Sequence, residues 1–200
     1  QLTLLLVNFF LITIISRIYG AEIYGEYASS KSLSVLIGTA IVMSLALVVT
    51  KFLAQKNESS KLMFQNAYSL ILRNLMLSFI ILIPLTLFLK RDLPMTILFL
   101  IGFVFNEMIH VALAYYQAKG DFVTSSKQIM LRTIIYGLGA WILVTQGFSI
   151  LSLIMFQVIT LVSFFAVAHF SIPKNDIDLN SNKSVKNNLQ ASGKKMVLTT

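Results

Sequence analysis

The sequence predicts an all-α fold, a polytopic bundle of transmembrane helices. Hydrophobic residues make up 56% of the 200 residues and charged residues only 12%, whereas roughly a quarter of a soluble domain is charged. Mean hydropathy is +0.80. A small soluble fold cannot hide so much apolar surface, because much of its surface stays in contact with water. A bilayer must therefore surround much of the chain, and spans in lipid are helical because their backbone polar groups need partners.

Six apolar runs are long enough to cross a membrane, since about 30 Å of hydrocarbon takes roughly 20 residues of helix. They cover approximately 1–16, 32–52, 64–89, 94–118, 129–146 and 149–171. Residues 1–171 thus form a predicted six-helix lobe. The polar stretch 172–193 is rich in Asn, Ser and Lys and is predicted to be a linker. Residues 194–200 are predicted to start a seventh span, so we interpret the chain as part of a longer membrane protein.

The distribution of Lys and Arg predicts the orientation of the spans. If the connections alternate between two sides, eleven of the sixteen Lys and Arg residues fall on one side, four on the other, and Arg73 within a span. The side richer in basic residues is normally cytoplasmic. The basic loops and the 172–193 linker are therefore predicted to be cytoplasmic. The net charge of +8 accordingly indicates membrane topology, and no nucleic-acid partner is predicted.

Polar stripes inside two spans are the candidate sites. Asn66 and Arg73 share one face of the third span, and Glu107, His110 and Gln117 share one face of the fourth. A charged side chain at the bilayer centre costs about 2.5–3.5 kcal/mol and usually faces a partner or a water-filled cavity. We therefore expect Asn66, Arg73 and Gln117 to bind a substrate in a cavity. Glu107 and His110 are the candidates for binding a coupling ion.

The hairpin of the third and fourth spans places Arg73 and Glu107 at similar depths. They lie 19 residues before and 15 residues after the turn near Asp92, which leaves an axial offset of about 6 Å. An Arg side chain covers that distance, so the spacing predicts an ion pair or a shared aqueous cavity. An ion pair that only joins the two helices is the structural alternative. Arg132 lies near the start of the fifth span and is expected to reach the interface.

The sequence shows no catalytic or metal-binding motif. It contains no Cys, which excludes disulfides and thiolate metal sites. His110 and His169 are too far apart in sequence to suggest a zinc motif. Neither a phosphate-binding loop nor a nucleophile with its base is present. No cofactor, metal ligand or catalytic residue is therefore predicted, and we do not expect an enzyme.

The segment Ile14–Gly38, IISRIYGAEIYGEYASSKSLSVLIG, carries a more specific pattern. A Ser-Arg pair precedes a Gly-x-x-x-(Tyr/Phe)-Gly-x-Tyr motif before the second span. The matching residues are Ser16, Arg17, Gly20, Tyr24, Gly25 and Tyr27. This pattern resembles the first outer loop of the polysaccharide-export branch of the multidrug/oligosaccharidyl-lipid/polysaccharide flippase superfamily. The stretches SLALVVTKFLAQ and YYQAKGDF are also similar to that family.

The resemblance implies two six-helix lobes around a central cavity, with this chain as the N-terminal lobe. It implies a multi-pass protein of the plasma (inner) membrane that serves cell-surface polysaccharide biosynthesis, such as that of O-antigen. Such a flippase turns undecaprenyl-diphosphate-linked oligosaccharides from the cytoplasmic to the outer leaflet by alternating access. The implied partners are the bilayer, the lipid-linked glycan and a coupling ion, either a proton or sodium. The resemblance assigns no role to Arg73, Glu107 or His110.

A purely structural scaffold, whose buried charges would be inert pairs, and two other functions stay open at this point. One is a multidrug or cation antiporter of the same superfamily, whose cavity should be net negative where that of an anion transporter should be net positive. The other is a membrane enzyme of polysaccharide assembly, which would need a large outer loop or a cluster of catalytic carboxylates. The predicted outer loops are short, which argues against the enzyme.

Overall fold

The computed structural model describes residues 2–42, 45–54 and 60–172, and every regular element in that part of the chain is an α-helix. These helices are α1 (Leu2–Val42), α2 (Leu45–Ala54), α3 (Ser60–Phe88), α4 (Leu93–Ala118), α5 (Phe122–Thr145) and α6 (Ile150–Phe170). All except α2 are long and apolar enough to cross a bilayer. The prediction of an all-α, multi-pass membrane bundle is confirmed at that level. The count of six spans stays a prediction, and the 172–193 linker and the seventh span lie, from residue 173 onward, outside the described residues.

Helix α1 departs from the predicted loop between the first two spans. The residues expected to form an outer loop are helical, apart from a break at Gly20, where φ is +86°. Glycine adopts that backbone region at no steric cost. The residues that follow it include Ala and Glu, which favour helix although they lower the hydropathy of the segment. The prediction of a loop here is therefore wrong, and the motif residues lie on a broken helix.

Helix α5 begins at Phe122, well before the apolar run predicted to start at 129. Asp121 caps the helix, and its carboxylate accepts a hydrogen bond from the Thr124 backbone N–H at 3.0 Å. After Phe122 and Val123 the first two turns contain only polar residues, so hydropathy does not detect them. As a consequence, Arg132 lies about 15 Å along the axis from the first residue of the helix. It is not close to the helix end, as the sequence suggested.

Helix α4 is the centre of the bundle and contacts each of the other helices. Asp92 caps its N-terminus by accepting a hydrogen bond from the Met95 backbone N–H at 2.7 Å, with Pro94 in the first turn. One side of α4 packs against α2 and α3 in an apolar core that includes Val104 and Met108. The other side faces α1, α5 and α6, and the polar residues of the helix centre lie there.

Two glycines allow aromatic rings to approach a neighbouring helix closely. Gly38 of α1 lies against the phenyl ring of Phe103, and Gly139 of α5 lies against that of Phe156. A Cβ atom at either position would overlap the ring. Small residues at helix crossings are a common means of close packing in membrane bundles.

Candidate functional site

A cavity of about 550 Å³ lies between α1, α4, α5 and α6. Apolar side chains form much of its wall. The polar residues that line it are Tyr27, Lys31, Asn106, His110, Arg132, Thr133, Tyr136, Gln157 and Thr160. Among the described residues, no Asp or Glu belongs to the lining. The cavity is therefore net positive, with Lys31 and Arg132 as its permanent cations.

Arg132 is one of the two cationic side chains on the cavity wall. It is half-buried on α5, and its Nη1–H donates a hydrogen bond to Asn106 Oδ1 at 2.9 Å. Asn106 lies at the middle of α4, far from both helix ends. Within residues 2–42, 45–54 and 60–172, this amide is the one side chain that hydrogen-bonds Arg132. An amide oxygen is neutral and a guanidinium has five N–H donors, so the charge and most donors are left for a ligand.

Glu107 follows Asn106 directly on α4 but does not line the cavity. Its carboxylate is close enough to the Asn106 amide for the two side chains to interact. The Asn106 oxygen, in turn, is the acceptor that holds the Arg132 guanidinium at the cavity wall.

His110 lies one helical turn after Asn106 on the same face of α4. It also lines the cavity, and it is close enough to Arg132 for their charges to interact. The imidazole is thus the third polar group of this wall. Because it titrates near neutral pH in its ordinary state, it can change the charge of the cavity.

The cavity lining also carries hydroxyl and amide groups. Tyr27 is only 6% exposed and packs edge-on against Phe99, with 5.0 Å between the ring centroids. Lys31 Nζ lies 5.9 Å from the centroid of the Tyr27 ring. Tyr136 donates a hydrogen bond to Gln157 Oε1 at 3.4 Å. These groups offer hydrogen-bond partners to a hydroxyl-rich ligand, beside the cationic groups.

The residues predicted as sites in the spans are mostly elsewhere. His110 lines the cavity, whereas Arg73 and Glu107 do not. Arg73 is exposed on the face of α3 that points away from the core. It forms no ion pair with Glu107, so the predicted pair is wrong. The spacing placed each residue on a stripe, but Arg73 points outward because residues such as Ala67 and Ile71 occupy the inner face of α3.

The two remaining candidates in the spans also lie outside the cavity. Asn66 is half-buried on α3. Gln117 lies near the turn between α4 and α5, where its Nε2 donates a hydrogen bond to Ser125 Oγ at 3.3 Å. That contact joins the two helices and does not involve the cavity.

Of the motif residues of α1, one lines the cavity and the others lie outside it. Tyr27 lines the cavity. The motif residues outside it are Ser16, Arg17, Gly20, Tyr24 and Gly25. Tyr24 stacks on Tyr27 with 6.4 Å between ring centroids, so it supports the wall from behind. The Ser16 hydroxyl donates to a backbone carbonyl of its own helix at 3.1 Å.

Sequence reasoning missed Arg132, Asn106 and Lys31 as lining residues. Two signals were available. Asn106 and His110 are spaced i, i+4 in an apolar run, which puts both on one face. The Asp-x-x-Thr sequence at Asp121 is a helix-start signal that would have moved Arg132 into the helix interior.

In the part of the chain that the structure describes, no group of three or more His, Asp or Glu residues could hold a metal ion. Comparisons with protein-family models, curated proteins and solved structures find no match to this chain. The chemistry of the cavity is therefore the basis on which a function is assigned.

Proposed function

We propose that this chain is part of a membrane transporter that moves polyprenyl-diphosphate-linked oligosaccharides from the cytoplasmic to the outer leaflet. The observation that carries the proposal is Arg132, which faces the cavity deep in the bundle with a neutral hydrogen-bond partner. A charge at that depth is costly unless it is compensated. An anionic ligand compensates it, and the forked donors of a guanidinium match the oxygens of a phosphate.

The uncharged polar residues of the lining support the glycan part of the ligand. Sugar hydroxyls need hydrogen-bond partners when they leave water, and Tyr27, Tyr136 and Gln157 supply them. The volume of about 550 Å³ falls in the range of ligand sites, roughly 300–1,000 Å³. A diphosphate with its first sugar fits such a space, while the polyprenyl chain stays in lipid.

The first helix supports alternating access. Gly20 divides α1 into two arms, and both arms contribute to the cavity, the first through residues such as Leu11 and the second through Lys31. At the break, the Tyr19 hydroxyl donates a hydrogen bond to the Phe148 carbonyl in the turn between α5 and α6. Breaking this contact frees the arms to move separately and opens one end of the cavity. The resemblance of the α1 motif to polysaccharide-export flippases agrees with this function.

The two alternatives make different demands on the lining. A cation antiporter needs carboxylates that face its cavity, and an enzyme of polysaccharide assembly needs a cluster of them. Among the described residues, the lining contains two permanent cations and no carboxylate. The anion transporter therefore fits best. The antiporter is tested separately, by exchange of an organic cation for protons in vesicles.

Flipping by the full-length protein in proteoliposomes tests the proposal. The vesicles contain undecaprenyl-diphosphate-linked oligosaccharide, and transfer is followed by access of an external glycosidase to the glycan. We expect transport of this lipid but not of a neutral polyprenyl glycoside. Arg132→Gln should slow transport about tenfold or more, because a hydrogen bond to a charged group contributes about 1.5–3 kcal/mol. Arg91→Gln is the control, since Arg91 is exposed between α3 and α4 and should be dispensable.

Equal transport of the neutral glycoside would contradict the proposal. Normal transport by Arg132→Gln, at an equal amount of folded protein, would also contradict it. Exchange of an organic cation for protons in the same vesicles, without glycan transfer, would favour the antiporter.

A further inference from the structure

We propose that Arg132, Asn106 and His110 form a proton-linked anion site. An oxyanion such as a phosphate ester binds to Arg132, a proton binds to His110, and each stabilises the other. The natural identity of the anion rests on the proposed function. The site itself is defined by the three side chains and can be tested with a simple oxyanion.

The geometry brings the three groups to one wall. Asn106 and His110 are one turn apart on α4 and both line the cavity. Asn106 Oδ1 accepts the Arg132 hydrogen bond at 2.9 Å and leaves the other guanidinium donors available. His110 already interacts electrostatically with the guanidinium. An anion on the available donors of Arg132 therefore lies within the field of the imidazole.

His110 is the lining group whose charge changes near neutral pH. The titratable groups that face it from α1 are Tyr27 and Lys31, and those from α5 are Arg132 and Tyr136. Helix α6 contributes no charged residue to the described lining, only neutral groups such as Gln157. Phenols, amines and guanidinium groups ordinarily titrate near pH 10 or above, and imidazoles near 6.5.

One carboxylate also belongs to this neighbourhood. Glu107 precedes His110 by three residues on α4, but it does not line the cavity. Carboxylates ordinarily titrate near pH 4. The His110→Gln variant keeps Glu107, so it separates any titration of this carboxyl from that of the imidazole.

The charges fix the sign of the coupling. In the empty cavity, Arg132 and Lys31 repel a proton on His110. A bound anion offsets that repulsion, so anion binding raises the affinity for the proton. By linkage, protonation raises the affinity for the anion by the same factor, typically 5–150-fold. The anion and the proton therefore occupy the site together.

Sulfate binding to the purified full-length protein tests the site, because sulfate stays divalent across the neutral range. Titration calorimetry should show at least about fivefold tighter binding at about pH 5.5 than at about pH 8. Runs in two buffers of different ionisation heat should show proton uptake with sulfate. His110→Gln should lose both effects. His169→Gln is the matched control, since that imidazole packs against Tyr68 and Phe165, away from the cavity, and should behave as the wild type.

Sulfate affinity that is equal at both pH values in the wild type would overturn the inference, as would proton uptake that persists in His110→Gln. Absence of sulfate binding at both pH values would overturn it too. If His110→Gln does not fold, the two-buffer measurement on the wild type decides alone. Binding that needs Arg132 but not His110 would overturn this site and leave the transport proposal standing. Proton-linked sulfate binding in a protein that does not flip the lipid would support the site and contradict the transport proposal.

Discussion

The side of α4 that faces α2 and α3 is packed almost entirely with apolar groups, whereas the side that faces α1, α5 and α6 borders a polar cavity. Val104, Met108 and Val111 lie on the first side. Asn106 and His110 lie on the second. All five come from one short stretch of sequence, so the difference arises from the neighbouring helices. A polar side chain in a span indicates a site only where the facing helices also bring polar groups.

The two arginines within the helices illustrate the same contrast. Arg73 is exposed on the outer face of α3, where its long side chain can extend toward the interface. Arg132 is half-buried, lines the cavity and has a fixed amide partner. The same residue type is thus a surface group in one helix and a candidate ligand in the other.

The largest expected effect is a difference in the free energy of unfolding between variants on the two sides of α4. Leu70, 2% exposed, lies in the apolar core, and Leu161, 7% exposed, lines the cavity. Leu70→Ala should lower the free energy of unfolding by about 2 kcal/mol, the low end of the usual range, because lipid offers an apolar alternative. Leu161→Ala should lower it less, since it only enlarges an existing cavity. Denaturant unfolding of the purified protein measures both, and equal losses would contradict the contrast.

The next effect distinguishes the two glycine–phenylalanine contacts. Gly38→Ala and Gly139→Ala each place a methyl group against a phenyl ring, and overpacking typically costs about 1–3 kcal/mol. Phe103, the ring at Gly38, lines the cavity, whereas Phe156 does not. Both variants should melt earlier, but only Gly38→Ala should also weaken sulfate binding. Thermal melts and calorimetry measure the two effects, and weaker binding in Gly139→Ala alone would show that the cavity is not bounded as described.

The smallest effect lies at the start of α5. Hydrogen bonds from the Thr124 hydroxyl and backbone N–H lower the pKa of the Asp121 carboxyl. Because the folded pKa is below the unfolded one, the stabilisation is complete above the unfolded pKa and is lost as the pH falls through the folded pKa. Asp121→Ala should therefore lower the melting temperature slightly at neutral pH, and the difference should vanish below about pH 3. A pH-independent difference would mean that the charged cap is not the cause.

The helical bundle could be predicted because lipid leaves the backbone no alternative to helix. The candidate site could be predicted only in part. Glu107, His110 and Gln117 share a stripe, but α4 is surrounded by other helices, and the sequence does not state which helix each residue faces. Arg132 was not predicted as a cavity residue because the polar residues in the first turns of α5 lower the hydropathy there, and the helix was expected to begin later. The helix on either side of Gly20 was not predicted because polar residues around it lower the hydropathy, so the segment was expected to be a loop.

The most direct test of the account is the affinity for inorganic diphosphate of Arg132→Gln and Arg73→Gln, measured by calorimetry beside the wild-type protein. We expect Arg132→Gln to bind about tenfold more weakly or worse, because it loses charged hydrogen bonds to the anion, and Arg73→Gln to bind as the wild type does. Wild-type affinity in Arg132→Gln, or a loss confined to Arg73→Gln, would contradict the assignment of the cavity as the anion site.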